Sequence, residues 1–334
     1  MRYCGMDVSD KSSAIHMLDE AGSVLRRGTV FNDPDGIRQF FEKEDKMIVG
    51  IEACGISARL ALEIERYGHE VKVLHPQSIE ALTKGHKTDK NDAEMLAQIL
   101  RGGWYREVHR KSDDARLLRT LIGSRAKLVE IQTQLANEIQ GHMKHWGHPV
   151  GSSCKPDFCG RISAKFKNLP KLQPIITPLM EVLETVRAQV KVLDKQVEGL
   201  AKENGDVAIA MTHPGVGPIV ATAYLATIDD PSRFKESRQV GAYLGLTARV
   251  YQSGETTLHG RITKEGDKLL RGYLLTAANA LLMRSGKNCK LKAWGLKLAK
   301  KKGYSKAKVA VARRIAVNLH RMLVDRKPFD YAIA

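Results

Sequence analysis

Two rhythms of apolar and polar positions run through the first hundred residues. Residues 2–8 (RYCGMDV), 13–19 (SAIHMLD) and 23–31 (SVLRRGTVF) are short runs that predict three strands joined by tight turns. The connection between the second and third holds Glu20-Ala21-Gly22, the make-up of a hairpin turn. Asn32-Asp33-Pro34 then marks a helix start, with Asp33 as cap, Pro34 at the first helical position, and Ile37, Phe40 and Phe41 on the apolar side. Residues 47–51 predict a buried strand ending at Glu52. A helix over about 56–67, a strand over 71–74 and a helix from about Asp89 to Leu100 follow. Three meandering strands and then alternating helices and strands predict an α/β domain of ribonuclease-H-like layout.

From Ser112 to about His145 the pattern becomes helical, with Leu117, Leu118, Leu121, Leu128, Ile131, Leu135 and Ile139 spaced mainly by threes and fours. A second such run covers about 179–203. Together they predict an antiparallel helical hairpin or coiled coil. Its narrow apolar seam is read as an assembly device, with an ordinary intramolecular bundle as the alternative. Residues 146–178 show no period and are expected to be a long irregular connection. Further on, residues 208–221 (AIAMTHPGVGPIVA) resemble a helix-hairpin-helix element. Its turn, with Gly215 and Gly217, would offer backbone N–H donors to a phosphate. A helix from Leu269 to Met283 carries Arg271 and is preceded by Arg261 and Lys264 in a polar, glycine-containing stretch; all three are read as nucleic-acid backbone contacts. The expected organisation is an α/β domain at 1–108, a helical oligomerisation region at 109–205 and a mainly helical domain at 206–334.

Charge changes the picture. With 54 Lys and Arg against 37 Asp and Glu, the formal net charge is +17, which implies an anionic partner and favours nucleic acid. Residues 287–314 are especially dense in lysine and arginine, which points to contact with a nucleic-acid backbone. No signal-peptide core and no run of 18 apolar residues is present, so a cytoplasmic protein without a membrane partner is expected. Five scattered cysteines suit free thiols in a reducing compartment. Cys154 and Cys159, near His142, His145 and His148, match none of the common zinc spacings.

Within this basic chain four carboxylates stand out. Asp7 lies in the first predicted strand and Glu52 at the end of the fourth, while Asp89 and Asp92 are three apart and share a helix face. Singly each reads as a turn or helix-start residue. Jointly they could hold two divalent ions, Mg²⁺ or Mn²⁺, about 3.5–4 Å apart. The basic segment with Lys84, His86 and Lys87 directly precedes Asp89 and is read as a phosphate-gripping loop. Ser253 has small neighbours, but no G-x-S-x-G elbow surrounds it, and composition alone makes it a turn serine.

GMDVSDK, IEACG, KTDKNDA, PGVGPIVA, the RF…AYLGL stretch, YQSGE and ITKEGDKLLRGYLL, in this order, resemble the DEDD transposases of insertion-sequence family one-hundred-ten, the bridge-RNA-guided recombinases. The resemblance covers nearly the whole chain. It implies a RuvC-like N-terminal domain, a coiled-coil middle and a C-terminal transposase domain. It also implies that Asp7, Glu52, Asp89 and Asp92 are metal ligands and that Ser253 is the nucleophile. The partners it implies are donor and target DNA, a structured non-coding guide RNA and further copies of the chain, as dimer or tetramer.

Overall fold

The computed structural model describes residues 1–76, 89–254, 256–286 and 288–331; the side chains of Asp89, Lys90 and His259 lie outside that description. The chain divides into two compact units, 1–111 and 112–334.

The first unit is built on a five-stranded mixed sheet of β1 (Arg2–Val8), β2 (Ser12–Leu18), β3 (Val24–Phe31), β4 (Met47–Glu52) and β5 (Glu70–Leu74), in the order β3-β2-β1-β4-β5. The first three strands meander antiparallel, while β4 and β5 run parallel to β1. Side chains alternate between the two faces of a strand. Cys4, Met6, Ile15, Met17, Val49, Ile51, Val71 and Val73 accordingly form one core with Ile37, Phe40 and Phe41 of α1 (Pro34–Phe41) and Leu60 and Ile64 of α2 (Ser57–Glu65). As the Asp-Pro pair predicts, Asp33 caps α1 by accepting from Gly36 N at 2.7 Å.

The opposite face is covered by α3 (Asp89–Gly102), which packs on β1, β2 and β4. Glycine makes this approach possible. A Cβ on Gly5 would collide with the backbone of Ala93 and Ala97, and one on Gly50 would lie 3.3 Å from Leu100 Cδ2. Near its end, Arg101 reaches Gly22 in the β2–β3 turn, beside the start of β1. The helix therefore runs antiparallel to β1, and its N-terminus lies over the end of β1 that carries Asp7.

The second unit begins with α4 (Asp113–His145), capped by Ser112, whose hydroxyl accepts from Ala115 N. It packs along α6 (Gln173–Glu203). Between them the stretch without period folds into α5 (Phe158–Ser163) and a 3-10 turn at Phe166–Asn168. This connection is structured rather than irregular: Phe158, Cys159, Ile162 and Phe166 form a separate small core with Ile139, Met143, Ile176 and Leu183 of the long helices. Near the other end of the hairpin, Ile122 and Val197 join the main core. The rest of that core comes from α7 (Gly205–Met211), α8 (Pro218–Ile228), α9 (Gln239–Tyr243), α10 (Lys268–Met283), α11 (Lys290–Lys302) and α12 (Tyr304–Asp325). Helix α8 is apolar nearly all round, and Tyr224, fully buried, donates to Ala316 O at 2.7 Å. A two-stranded antiparallel hairpin, β6 (Ala248–Ser253) and β7 (Thr256–Ile262), completes the unit. All five cysteines are unpaired. Among the described residues, no helix is long and apolar enough to cross a membrane.

Candidate active site

The ladder between β1 and β4 pairs Gly5 with Gly50 and Met6 with Ile51. One residue further, Asp7 and Glu52 stand at the same end of two adjacent parallel strands. Both lie two positions beyond the glycines over which α3 passes, so both belong to the face that α3 covers. Each is half-buried. Asp92 is half-buried in the first turn of α3, directly before Ala93, which seats on Gly5. Asp89 begins the same helix. Elements, strand register and helix direction thus direct all four acidic positions to one end of one sheet face.

The backbone around this end is held from both sides. After β4, the Ser57 hydroxyl donates to Cys54 O at 3.0 Å and closes the turn into α2. After β1, buried Asn32 donates to Ser9 O at 2.7 Å and accepts from the Ser13 hydroxyl at 2.6 Å, which ties the β1–β2 turn to the end of β3. In sequence, Asn32 reads only as part of a helix start. A buried amide that serves strand-connecting turns carries no periodic signal.

Among the described residues, no three His, Cys, Asp or Glu side chains are close enough to share a metal ion. The donor chemistry of the four positions still fits a hard divalent cation, because all are carboxylates and such ions take oxygen ligands. Lys84, His86 and Lys87 lie outside the described residues, so the expected phosphate loop has no structural description.

Ser253 closes β6 and pairs with Thr256 across a turn that begins at Gly254, whose φ is +55°. Every residue of β6 is exposed, and Val250, Tyr251 and Leu258 are 55%, 57% and 63% exposed. Composition alone reads Ser253 as a turn residue and the family resemblance makes it the nucleophile; neither predicts the hairpin. The usable signal was the β-branched and aromatic run on either side of Ser253-Gly254. The base of the hairpin is clamped. Thr263 N donates to Thr247 O at 2.9 Å, and Lys264 N to Gly245 O at 3.1 Å. Gly245 and Gly266 both have positive φ, and a Cβ on either would strike the facing backbone. Arg271 is 9% exposed and donates to Leu244 O at 3.1 Å and to Glu265 O at 2.5 Å, carbonyls that flank the hairpin before β6 and after β7. Its guanidinium is engaged in this clamp, whereas Arg261 and Lys264 are exposed beside it.

Gly215, at φ +87°, lies against α10, where a Cβ would come within 2.5 Å of Ala277 O. Its smallness serves helix packing. Gly217 is the half-exposed residue preceding α8, with no atom near its would-be Cβ. His213, in the same turn, is 1% exposed; its Nδ1 lies 2.9 Å from Pro214 O and its ring packs on Phe329.

Two family models match the chain. The DEDD model described as Transposase covers residues 4–147, and the model described as Transposase IS116/IS110/IS902 family covers 207–292. The Sinorhizobium fredii protein designated y4pF/y4sB is 30% identical over 98% of this chain and 85% of its own length. The transposase for insertion sequence element IS1111A of Coxiella burnetii is 25% identical over 98% of this chain and 91% of that protein. The transposase for insertion sequence element IS1328 of Yersinia enterocolitica is 25% identical over 84% of each.

Proposed function

The chain belongs to the IS116/IS110/IS902 family of insertion-sequence transposases, and from that premise we propose that it exchanges DNA strands through a covalent phosphoserine link made by Ser253. The observation that carries the reading is the placement of Asp7 and Glu52 at neighbouring strand ends, on the sheet face over which α3 brings Asp89 and Asp92. The first unit is then a RuvC-like, ribonuclease-H-like catalytic domain. The long helices act as a coiled coil joining copies into a dimer or tetramer, and the region from 206 onward is the transposase domain, with a helix-hairpin-helix-like turn.

In this mechanism the Ser253 oxygen attacks a DNA phosphorus and gives up its proton. A phosphorus–oxygen bond to serine forms, the bond to the 3′-oxygen breaks, and that oxygen takes a proton to leave as a 3′-hydroxyl. A 3′-hydroxyl from another strand reverses the step on a new partner, so the bond energy is kept. Asp7, Glu52, Asp89 and Asp92 would hold Mg²⁺ or Mn²⁺. When bound, that cation supplies positive charge opposite the developing pentavalent phosphate. Lys84, His86, Lys87, Arg261, Lys264 and the N–H groups at Gly215 and Gly217 serve as backbone contacts that position without reading sequence. Arg271 positions the serine hairpin. Choice of donor and target falls to a structured guide RNA, and the setting is the bacterial cytoplasm, at the nucleoid.

The test is the Ser253→Ala chain incubated with DNA, guide RNA and Mg²⁺. Loss of both the covalent protein–DNA adduct and strand exchange is expected. Undiminished cleavage would mean that water is the nucleophile, as in a junction-resolving nuclease, and would end this reading.

A further inference from the structure

The positive charge is not spread along the chain. Residues 268–324 hold 15 Lys and Arg and no Asp or Glu. Subtracting them from the totals, 54 − 15 = 39 basic residues face 37 acidic ones elsewhere, a balance of +2 against +15 in this one segment. The nearest ion pairs on either side in sequence, Arg119–Asp267 and Arg326–Asp206, use carboxylates from outside it.

The structure turns this excess into a surface. Helices α11 and α12 are joined by a single glycine, Gly303, at φ +86°. They are drawn together at Gly295, where a Cβ would come within 2.7 Å of Val311 Cγ2 on α12 and 2.8 Å of Leu282 Cδ2 on α10. With the apolar side so engaged, Lys290, Lys297 and Lys301, seven and four apart, fall on one exposed ridge of α11. That ridge is about 17 Å long, the rise of about five base pairs of duplex. On α12 the Arg314 guanidinium lies 3.9 Å over the Trp294 ring of α11. Stacking on an indole restricts an arginine without neutralising it.

We infer that the α11–α12 surface is a phosphodiester-binding site, which grips a nucleic-acid backbone through Lys290, Lys297 and Lys301 with Arg314 beside them. Most of it lies beyond residue 292, where the second family match ends. The site deepens the reading of the chain as a nucleic-acid enzyme but needs neither the carboxylates nor Ser253. Solvated lysine ridges are common on helices. This one differs in lying within the segment that holds nearly all of the molecule's charge imbalance and offers no carboxylate of its own.

The test measures binding of the full chain in EDTA, without cleavage, to a duplex DNA and to a hairpin RNA over a range of salt. The triple variant Lys290→Gln, Lys297→Gln, Lys301→Gln is compared with a control that loses equal charge at the tip of the helical hairpin, Lys144→Gln, Lys167→Gln, Lys171→Gln. All six positions are exposed. For the α11 variant the salt dependence of affinity should flatten by about 0.9 per lost contact, about 2.7 in all, with affinity at least about tenfold weaker near 0.15 M salt. The control should stay within about twofold. Whether DNA, RNA or both lose affinity identifies whose backbone is held. Unchanged binding of both by the α11 variant, or an equal loss in the control, overturns the inference. Because cation and chemistry are absent from the assay, failure of the serine mechanism would leave its result unaffected.

Discussion

At the scale of single residues, His213 shows what burial in the Pro-Gly-Val-Gly turn costs. Enclosed and stacked on Phe329, the imidazole has its pKa pushed down from 6.5 to about 4 by desolvation, partly opposed by its bond to Pro214 O. The unfolded chain therefore binds a proton below pH 6.5 that the folded one refuses until about pH 4. Stability is complete above the unfolded value and falls as pH drops through this window, by about 1.4 kcal/mol per unit. Denaturant unfolding between pH 7 and 5 should show this slope, and His213→Gln should reduce it; an identical pH dependence in both proteins would remove His213 as its source. Such roles are hidden in sequence. Histidine before Pro-Gly reads equally as a solvent-facing turn, and Arg271 reads as a phosphate contact until its carbonyl partners are seen. The placement of Asp7 and Glu52 at neighbouring strand ends was legible because strand alternation and strand order together determine which face and which end a residue occupies.

At the scale of elements, the seating of α3 on the sheet governs where the acidic positions stand. Gly5 is the contact point, so Gly5→Ala should lift or tilt the helix and cost about 2 to 4 kcal/mol in denaturant unfolding. DNA cleavage should fall further than stability alone explains, because Asp89 and Asp92 ride on that helix. Wild-type stability in the variant would mean that the approach is not tight. Strands β1 to β5, α1 to α3 and the two long helices were legible from period and caps, most clearly where Asp33-Pro34 and Ser112 announce a helix start. The tip of the hairpin was not. Its small core draws Phe158, Ile162 and Phe166 from pieces too short to show a period and completes itself with residues of α4 and α6. The β6–β7 hairpin escaped notice because none of the six β6 residues is buried, so no in–out alternation marks it.

At the scale of the whole molecule, the proposed assembly has its candidate seam in what the long helices leave uncovered. Ile175 and Val182, seven apart on one face of α6, are 62% and 51% exposed. An apolar stripe of this kind is the seam through which helices of separate chains pair. Light scattering should show an oligomer for the parent chain. Ile175→Glu with Val182→Glu should shift it towards the monomer mass while leaving the helical circular dichroism intact; an unchanged mass would place the contact elsewhere.

The serine ribbon has a consequence of its own. Two strands with no third neighbour and no buried face are marginal in water. Arg271 fastens the root of this pair but nothing described lies along its length. Whatever reaction the Ser253 hydroxyl performs, its aim is only as steady as the surface the ribbon comes to rest on. A solitary chain thus leaves the tip of this ribbon without a backing, and any surface that supplies one also sets the direction in which the hydroxyl faces.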